Sequence, residues 1–229
     1  MRRWRRLLPL LAVAACSNLE EGQGGVVALE IQLPATTTIE VGEQVQLSAR
    51  ALDADGEAVD ATIDWRSSGT ALTVDATGLV TAVTAGAAQV QAAVGALASE
   101  QVSFNVRARA DTVIIVGDSV FTIPVAADPP VTANPTIRLD TFSPPGPVGS
   151  QLVIFDITQP VAGAIPVVQL SNGAQSDTVS TTSEGLATVA LSLVTGQVPP
   201  DTAIVEVRAN RLRGAVVPGS GQRFIILFQ

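Results

Sequence analysis

The stretch Val41 to Val94, "VGEQVQLSARALDADGEAVDATIDWRSSGTALTVDATGLVTAVTAGAAQVQAAV", decides the fold class. Val45, Leu47 and Ala49 alternate with Gln44, Gln46 and Ser48, and Ile63 and Trp65 alternate with Thr62, Asp64 and Arg66. A period of two gives each segment one apolar and one wet face, which is the signature of strands in an antiparallel sheet. Asp55-Gly56 supplies a turn between them, because glycine enters the positive-φ region without steric cost. The pattern continues through Val102, Phe104 and Val106, through Val189, Leu191 and Leu193, and through Val205 and Val207. No window carries a sustained helical period bounded by caps. Short strands with turn residues every ~8 to 12 positions predict an all-β chain built as β-sandwiches.

Composition agrees and removes whole classes of function. The 229 residues are 47% hydrophobic but only 3% aromatic, so the cores must be built from Val, Ile, Leu and Ala. Net charge is −8, and four of the 13 basic residues (Arg2, Arg3, Arg5, Arg6) crowd the N-terminus. Beyond them stand nine arginines against 21 acidic residues, a net −12. Such a body repels phosphate backbones, so nucleic acid is not an expected partner. Lysine, histidine and tyrosine are absent, which takes away most general bases and the imidazole metal ligands.

Within the quoted stretch an ordered series of residues resembles a bacterial immunoglobulin-like domain of group 2, the type found in intimin and invasin-like surface proteins. Val41-Gly42-Glu43 opens a strand, Asp55-Gly56 makes a turn, and Trp65 precedes Ser67-Ser68. Val74-Asp75, Gly78-Leu79-Val80 and Gly86 follow in the family's order. The resemblance implies that Gly42, Gly56, Trp65, Gly78 and Gly86 are core and turn positions of a domain spanning about residues 27–108. "GTALTVD" departs from the family, which more often has an Asp and an Ala-Thr pair before the valine, so the loop after Trp65 is left open. Further on, "AIPVVQLSNGAQSDTVSTTSEGLATVALSLVTG" (Ala164 to Gly196) is similar to the group 1 bacterial Ig-like pattern. It implies a second Ig-like sandwich over residues 109–229, with "PVAADPPVTANP" and "FSPPGPVG" as proline-rich linker or edge loops. "GLVTAVTAG" and "GLATVALSLVTG" look alike, as two related hairpins would.

The N-terminus reads as an address. "MRRWRRLLPLLAVAAC" has a basic start, an apolar run from Leu7 and small residues ahead of Cys16, the layout of a secretion signal and too short to span a bilayer. Val13-Ala14-Ala15-Cys16 resembles the lipobox of bacterial lipoproteins. That implies a signal peptide over residues 1–15, lipidation of Cys16, and a tether over residues 16–26. Acyl chains contribute ~0.8 kcal/mol per buried CH₂, so more than one chain gives durable attachment. The expected location is the cell envelope, at the outer membrane or cell surface.

Candidate chemistry is sparse. Asp53, Asp55, Glu57 and Asp60 cluster around Gly56, and hard oxygens at that spacing could hold Ca²⁺; a plain turn is the alternative, since the loop lacks the EF-hand pattern. No other cofactor is expected. Asp111-Thr112-Val113 and Asp177-Thr178-Val179 match the start of an aspartic protease motif but lack its glycine. Trp65 is placed in the core with Ile63 rather than on a sugar-binding face. Arg208, Arg211, Arg213 and Arg223 concentrate positive charge near the C-terminus, either as solvated strand ends or as a patch for lipid phosphates or an acidic partner. "RFIILFQ" is a closing strand or an exposed edge. The expected function is therefore non-catalytic: a lipid-anchored envelope protein that binds a protein or glycan ligand, or acts as a spacer. An accessory subunit of an envelope complex is the alternative, with a hydrolase behind both.

Overall fold

A computed structural model describes residues 25–125, 131–161 and 166–229, all strand, turn and loop, with no helix among the described residues. The first eleven strands are β1 (Ala28–Gln32), β2 (Thr38–Glu40), β3 (Gln44–Gln46), β4 (Ser48–Leu52), β5 (Ala58–Val59), β6 (Asp64–Ser68), β7 (Leu72–Val74), β8 (Leu79–Ala82), β9 (Gly86–Val94), β10 (Leu97–Ala98) and β11 (Val102–Arg107). They form a sandwich. One layer runs β6-β9-β11-β2, with β10 folded back on the end of β9. The other is made by β1-β4-β5 and β3-β8-β7.

The alternation from Val45 to Ala49 predicts one strand, and the chain instead breaks it at Leu47. Leu47 is 1% exposed, and its N–H donates to the Gly78 carbonyl at 3.0 Å. On one side of this break β3 pairs with β8, and on the other β4 pairs with β1 and β5. The main core gathers Ile39, Leu47, Leu72, Val80, Val90, Phe104 and Val106, with a smaller cluster around Val26, Ala51 and Val94. Aliphatic residues dominate both, as the scarcity of aromatics requires.

The second half holds β12 (Thr112–Ile115), β13 (Val120–Ile123), β14 (Thr136–Phe142), β15 (Pro145–Pro147), β16 (Leu152–Gln159), β17 (Val168–Leu170), β18 (Ser176–Ser180), β19 (Leu186–Thr188), β20 (Leu191–Leu193), β21 (Thr202–Ala209) and β22 (Gln222–Phe228). One layer runs β13-β22-β21-β16-β18. Opposite it, β12, β15 and β19 all pair with β14, and β17 pairs with β20. Phe155 and Phe224, both fully buried, anchor a core shared by the two layers. "RFIILFQ" is the closing strand, and neither of its edges is free, since β22 lies between β21 and β13. "FSPPGPVG" forms the β14–β15 hairpin.

Both sandwiches open with the same device. β1 pairs antiparallel with β4 in one layer, and the chain then crosses to place β2 parallel to β11 in the other. In the second sandwich β12 pairs antiparallel with β14, and β13 lies parallel to β22. The order β2-β11-β9-β6 thus recurs as β13-β22-β21-β16, extended by β18.

Candidate functional site at the joint between the sandwiches

The richest constellation of charged groups lies where the sandwiches meet. On the first, β2 ends in a tight turn, Glu40-Val41-Gly42-Glu43. The Glu43 N–H donates to the Glu40 carbonyl and the Glu40 N–H donates to Glu43 Oε2, both at 2.9 Å. Gly42 sits at φ +87°, which favours glycine, and a Cβ there would press on a terminal nitrogen of Arg109 at 3.1 Å.

On the second sandwich, the connection from β21 to β22 makes a turn at Arg211–Ala215, closed by Arg211 N–H to Ala215 O at 2.7 Å and Gly214 N–H to Arg211 O at 2.8 Å. This turn reaches the first sandwich. The Leu212 N–H donates to Glu40 Oε1 at 2.8 Å, and Arg213 Nε donates to Glu43 Oε1 at 2.8 Å. Arg107, the last residue of β11, donates to the Ser150 carbonyl. Behind these contacts Asp111 accepts from Arg109 Nε at 2.9 Å, from Arg211 Nη2 at 3.1 Å and from the Phe142 N–H at 3.1 Å. Glu40 is 2% exposed and Asp111 7%, burial that a carboxylate tolerates only when its lone pairs are taken up by such donors.

Two concavities lie nearby. A cavity of about 210 Å³ between the sandwiches is lined by Val41, Val83, Arg109, Thr141, Pro144 and Pro145. A groove of about 690 Å³ runs beside the β14–β15 hairpin, with Phe142 64% exposed at its rim. The groove's Asp140 is occupied by Arg138 at 2.7 Å, so its carboxylate is held as half of an ion pair.

The residues singled out from sequence fall in several places. Cys16 lies outside the described residues. Asp53 is the acceptor of its own turn, its Oδ1 taking the N–H groups of Asp55 at 3.0 Å and Glu57 at 2.9 Å around Gly56 at φ +83°. Asp55, Glu57 and Asp60 are exposed, and among the described residues no three acidic side chains converge as a metal site would need. Trp65 packs half-buried at the rim of the first core, its indole lying against Gly78, where a Cβ would come within 2.8 Å of the ring. Gly86 opens β9 at φ +148°. Asp111 is consumed by the joint, and Asp177 lies on β18 in a different sheet.

The four C-terminal arginines are each paired with an acid rather than gathered into a free patch, and Arg208, Arg213 and Arg223 stay exposed to solvent, as strand-end residues would. Arg208 pairs with Asp156, Arg211 with Asp111, Arg213 with Glu43 and Arg223 with Glu206. The acidic partner that Arg213 meets belongs to the same chain, 170 residues away. Their charge was legible in the sequence; their destination needed the tertiary fold.

Residues 31–106 match the family profile of the bacterial Ig-like domain, group 2. No curated protein shows significant similarity to the chain. Among solved structures, the Escherichia coli adhesin FdeC is similar with a TM-score of 0.56 at 15% identity, over 88% of this chain and 64% of that one. The Yersinia pseudotuberculosis adhesin InvE is similar at 17% identity with a TM-score of 0.43, over 91% of this chain and 61% of that one. The chain thus spans about three fifths of the length of these solved chains. At such identities the likeness speaks of fold. Residues 31–106 are a bacterial Ig-like domain of group 2, within an all-β chain of tandem Ig-like sandwiches.

Proposed function

We propose that the chain is a non-catalytic module displayed at the bacterial cell surface, held to the membrane by lipid on Cys16, where it presents a binding surface or spaces one from the membrane. The observation that carries this reading is the end-on union of a group 2 Ig-like domain with a second sandwich through charges spent on each other. Glu40, Glu43 and Asp111 are engaged by backbone N–H groups and guanidiniums rather than poised to move a proton. The adhesin FdeC, which shares the fold, lends the surface role its direction.

The test combines location with binding. Mass spectrometry of the native N-terminus is expected to find acylated Cys16, and Cys16→Ser is expected to leave the membrane fraction. Protease shaving of whole cells should remove the protein, and cells lacking it should attach less to host-cell layers or glycan surfaces. An unmodified N-terminus at another residue would overturn the anchor. Attachment that is unchanged by loss of the protein would favour the spacer over the adhesin.

A further inference from the structure

We infer that the two sandwiches form a single rigid strut, with the Asn210–Gly214 loop of the second acting as a clamp on the Glu40–Glu43 turn of the first. Three attachments carry this. The covalent link between β11 and β12 has no slack: the Arg107 carbonyl accepts from Val41 N–H at 3.0 Å, Ala110 is fully buried with its carbonyl taking Arg211 Nε at 3.0 Å, and the Asp111 N–H is bound to Asp140 at 2.9 Å. The clamp supplies a second attachment through Leu212 and Arg213. Arg107 on Ser150 supplies a third, from a different strand onto a different loop. One point of attachment leaves a swivel and two leave an axis of bending, and a third attachment opposes motion about that axis.

The chemistry also opposes gradual flexing. A small slip would leave the Glu40 carboxylate buried without the Leu212 N–H, and a buried acceptor without its donor is penalised far more than a fully solvated one. The joint is therefore closed or fully open, with little between. Its surface is specific as well. The matching connection in the first sandwich, Gly95 to Gln101 ("GALASEQ"), carries no arginine, so the acidic turn fits the 210–214 loop and not a copy of its own domain.

The test places nitroxide labels at Ser103 and Ser180, exposed positions on strands of opposite sandwiches, in a Cys16→Ser background. Pulsed dipolar spectroscopy is expected to give one narrow distance distribution. Glu40→Ala combined with Arg213→Ala should widen it about twofold or more as the closed state loses its hold, while Arg50→Ala, an exposed pair within the first sandwich, should leave it narrow. A broad distribution in the parent protein, or a narrow one in the double variant, would overturn the inference. Nitrogen-15 relaxation on the unaltered chain gives a check that needs no variant. A common rotational correlation time for both sandwiches supports the strut, and two separate shorter times refute it. Neither measurement touches anchoring or adhesion, so the two readings stand or fall apart.

Discussion

Asp75–Leu79 in the first sandwich and Thr182–Leu186 in the second are the same turn made with different chemistry. In each, the first residue's N–H reaches the carbonyl of the fifth, at 3.1 Å for Asp75 to Leu79 and 2.9 Å for Thr182 to Leu186. The glycine's N–H returns to the first residue's carbonyl, and its own carbonyl accepts from the strand beneath, Leu47 at 3.0 Å in one case and Leu139 at 2.9 Å in the other. The side chain of the first residue takes the N–H groups of the third and fifth, through Asp75 Oδ1 or through Thr182 Oγ1. What differs is the acceptor, a carboxylate against a hydroxyl, and the cover, Trp65 over Gly78 against Pro147 beside Gly185. The glycine is thus dictated by backbone geometry and close packing, whereas the acceptor is free to change. That is why "GLVTA" and "GLATV" look alike while their surroundings do not.

Breaking the shared part should have the largest effect. A Cβ at Gly185 would stand 2.6 Å from the Leu139 carbonyl, and one at Gly78 2.7 Å from the Leu47 carbonyl and 2.8 Å from the Trp65 ring, with both residues at positive φ. Gly185→Ala and Gly78→Ala should each lower the stability of their own sandwich by about 3 kcal/mol or more in urea melts; a loss below ~1 kcal/mol would mean that the turn relaxes freely. Gly56→Ala isolates the backbone cost, since Gly56 adopts φ +83° in the same kind of turn with nothing within 4 Å of the new methyl, and it should cost about 1 to 2 kcal/mol. Thr182→Ala removes only the acceptor and should cost about 1 kcal/mol, read from the same melts.

The difference in acceptor can be sharpened by pH. Hydrogen bonds from the Thr77 hydroxyl, then from the Leu79 N–H, hold the Asp75 carboxyl below its ordinary value of 3.8. A depressed carboxyl adds stability that is fully present above the ordinary value and is lost as pH falls through the lower, folded one. The Thr182 turn has no such step. Acid melts of the first sandwich should therefore show a loss below about pH 4 that shrinks in Asp75→Ser, with no counterpart at Thr182; identical acid limbs for parent and variant would remove Asp75 from the account. At the small end, Arg50→Ala breaks a pair with Glu30 whose side chains are 65% and 56% exposed, and should shift stability by about 0 to 1 kcal/mol.

The same contrast governs what the sequence reveals. The sheets were legible because burial on one face writes a period of two into Val45 to Ala49 and Val102 to Val106. The break at Leu47 was not, because the change of partner from β8 to β1 is decided by the Gly78 carbonyl, a feature of the folded turn rather than of residues 44–52. Trp65 was legible as inward-facing, but its position at the rim depends on the bare face of Gly78. The joint was the least legible part. Glu40 and Leu212 are 172 residues apart, and no local pattern distinguishes an arginine that will clamp a neighbour from one that will face water. Asp53 shows the converse, since a carboxylate that reads as a ligand oxygen in the sequence here accepts the Asp55 and Glu57 N–H groups of its own turn.

The parallel contact between β2 and β11 has a further consequence under tension. The chain enters the first sandwich on β1 and β2 and leaves from β11, and the two ends are paired side by side through Thr38–Asn105, Ile39–Val106 and Glu40–Arg107. A pull on the two ends drags these strands past one another along their length. Their hydrogen bonds must then yield together in shear instead of opening one after another like a peeled seam. The second sandwich repeats the arrangement with four residue pairs, from Val120–Ile225 to Ile123–Phe228. Tension along the chain is thereby met where each fold is hardest to unzip.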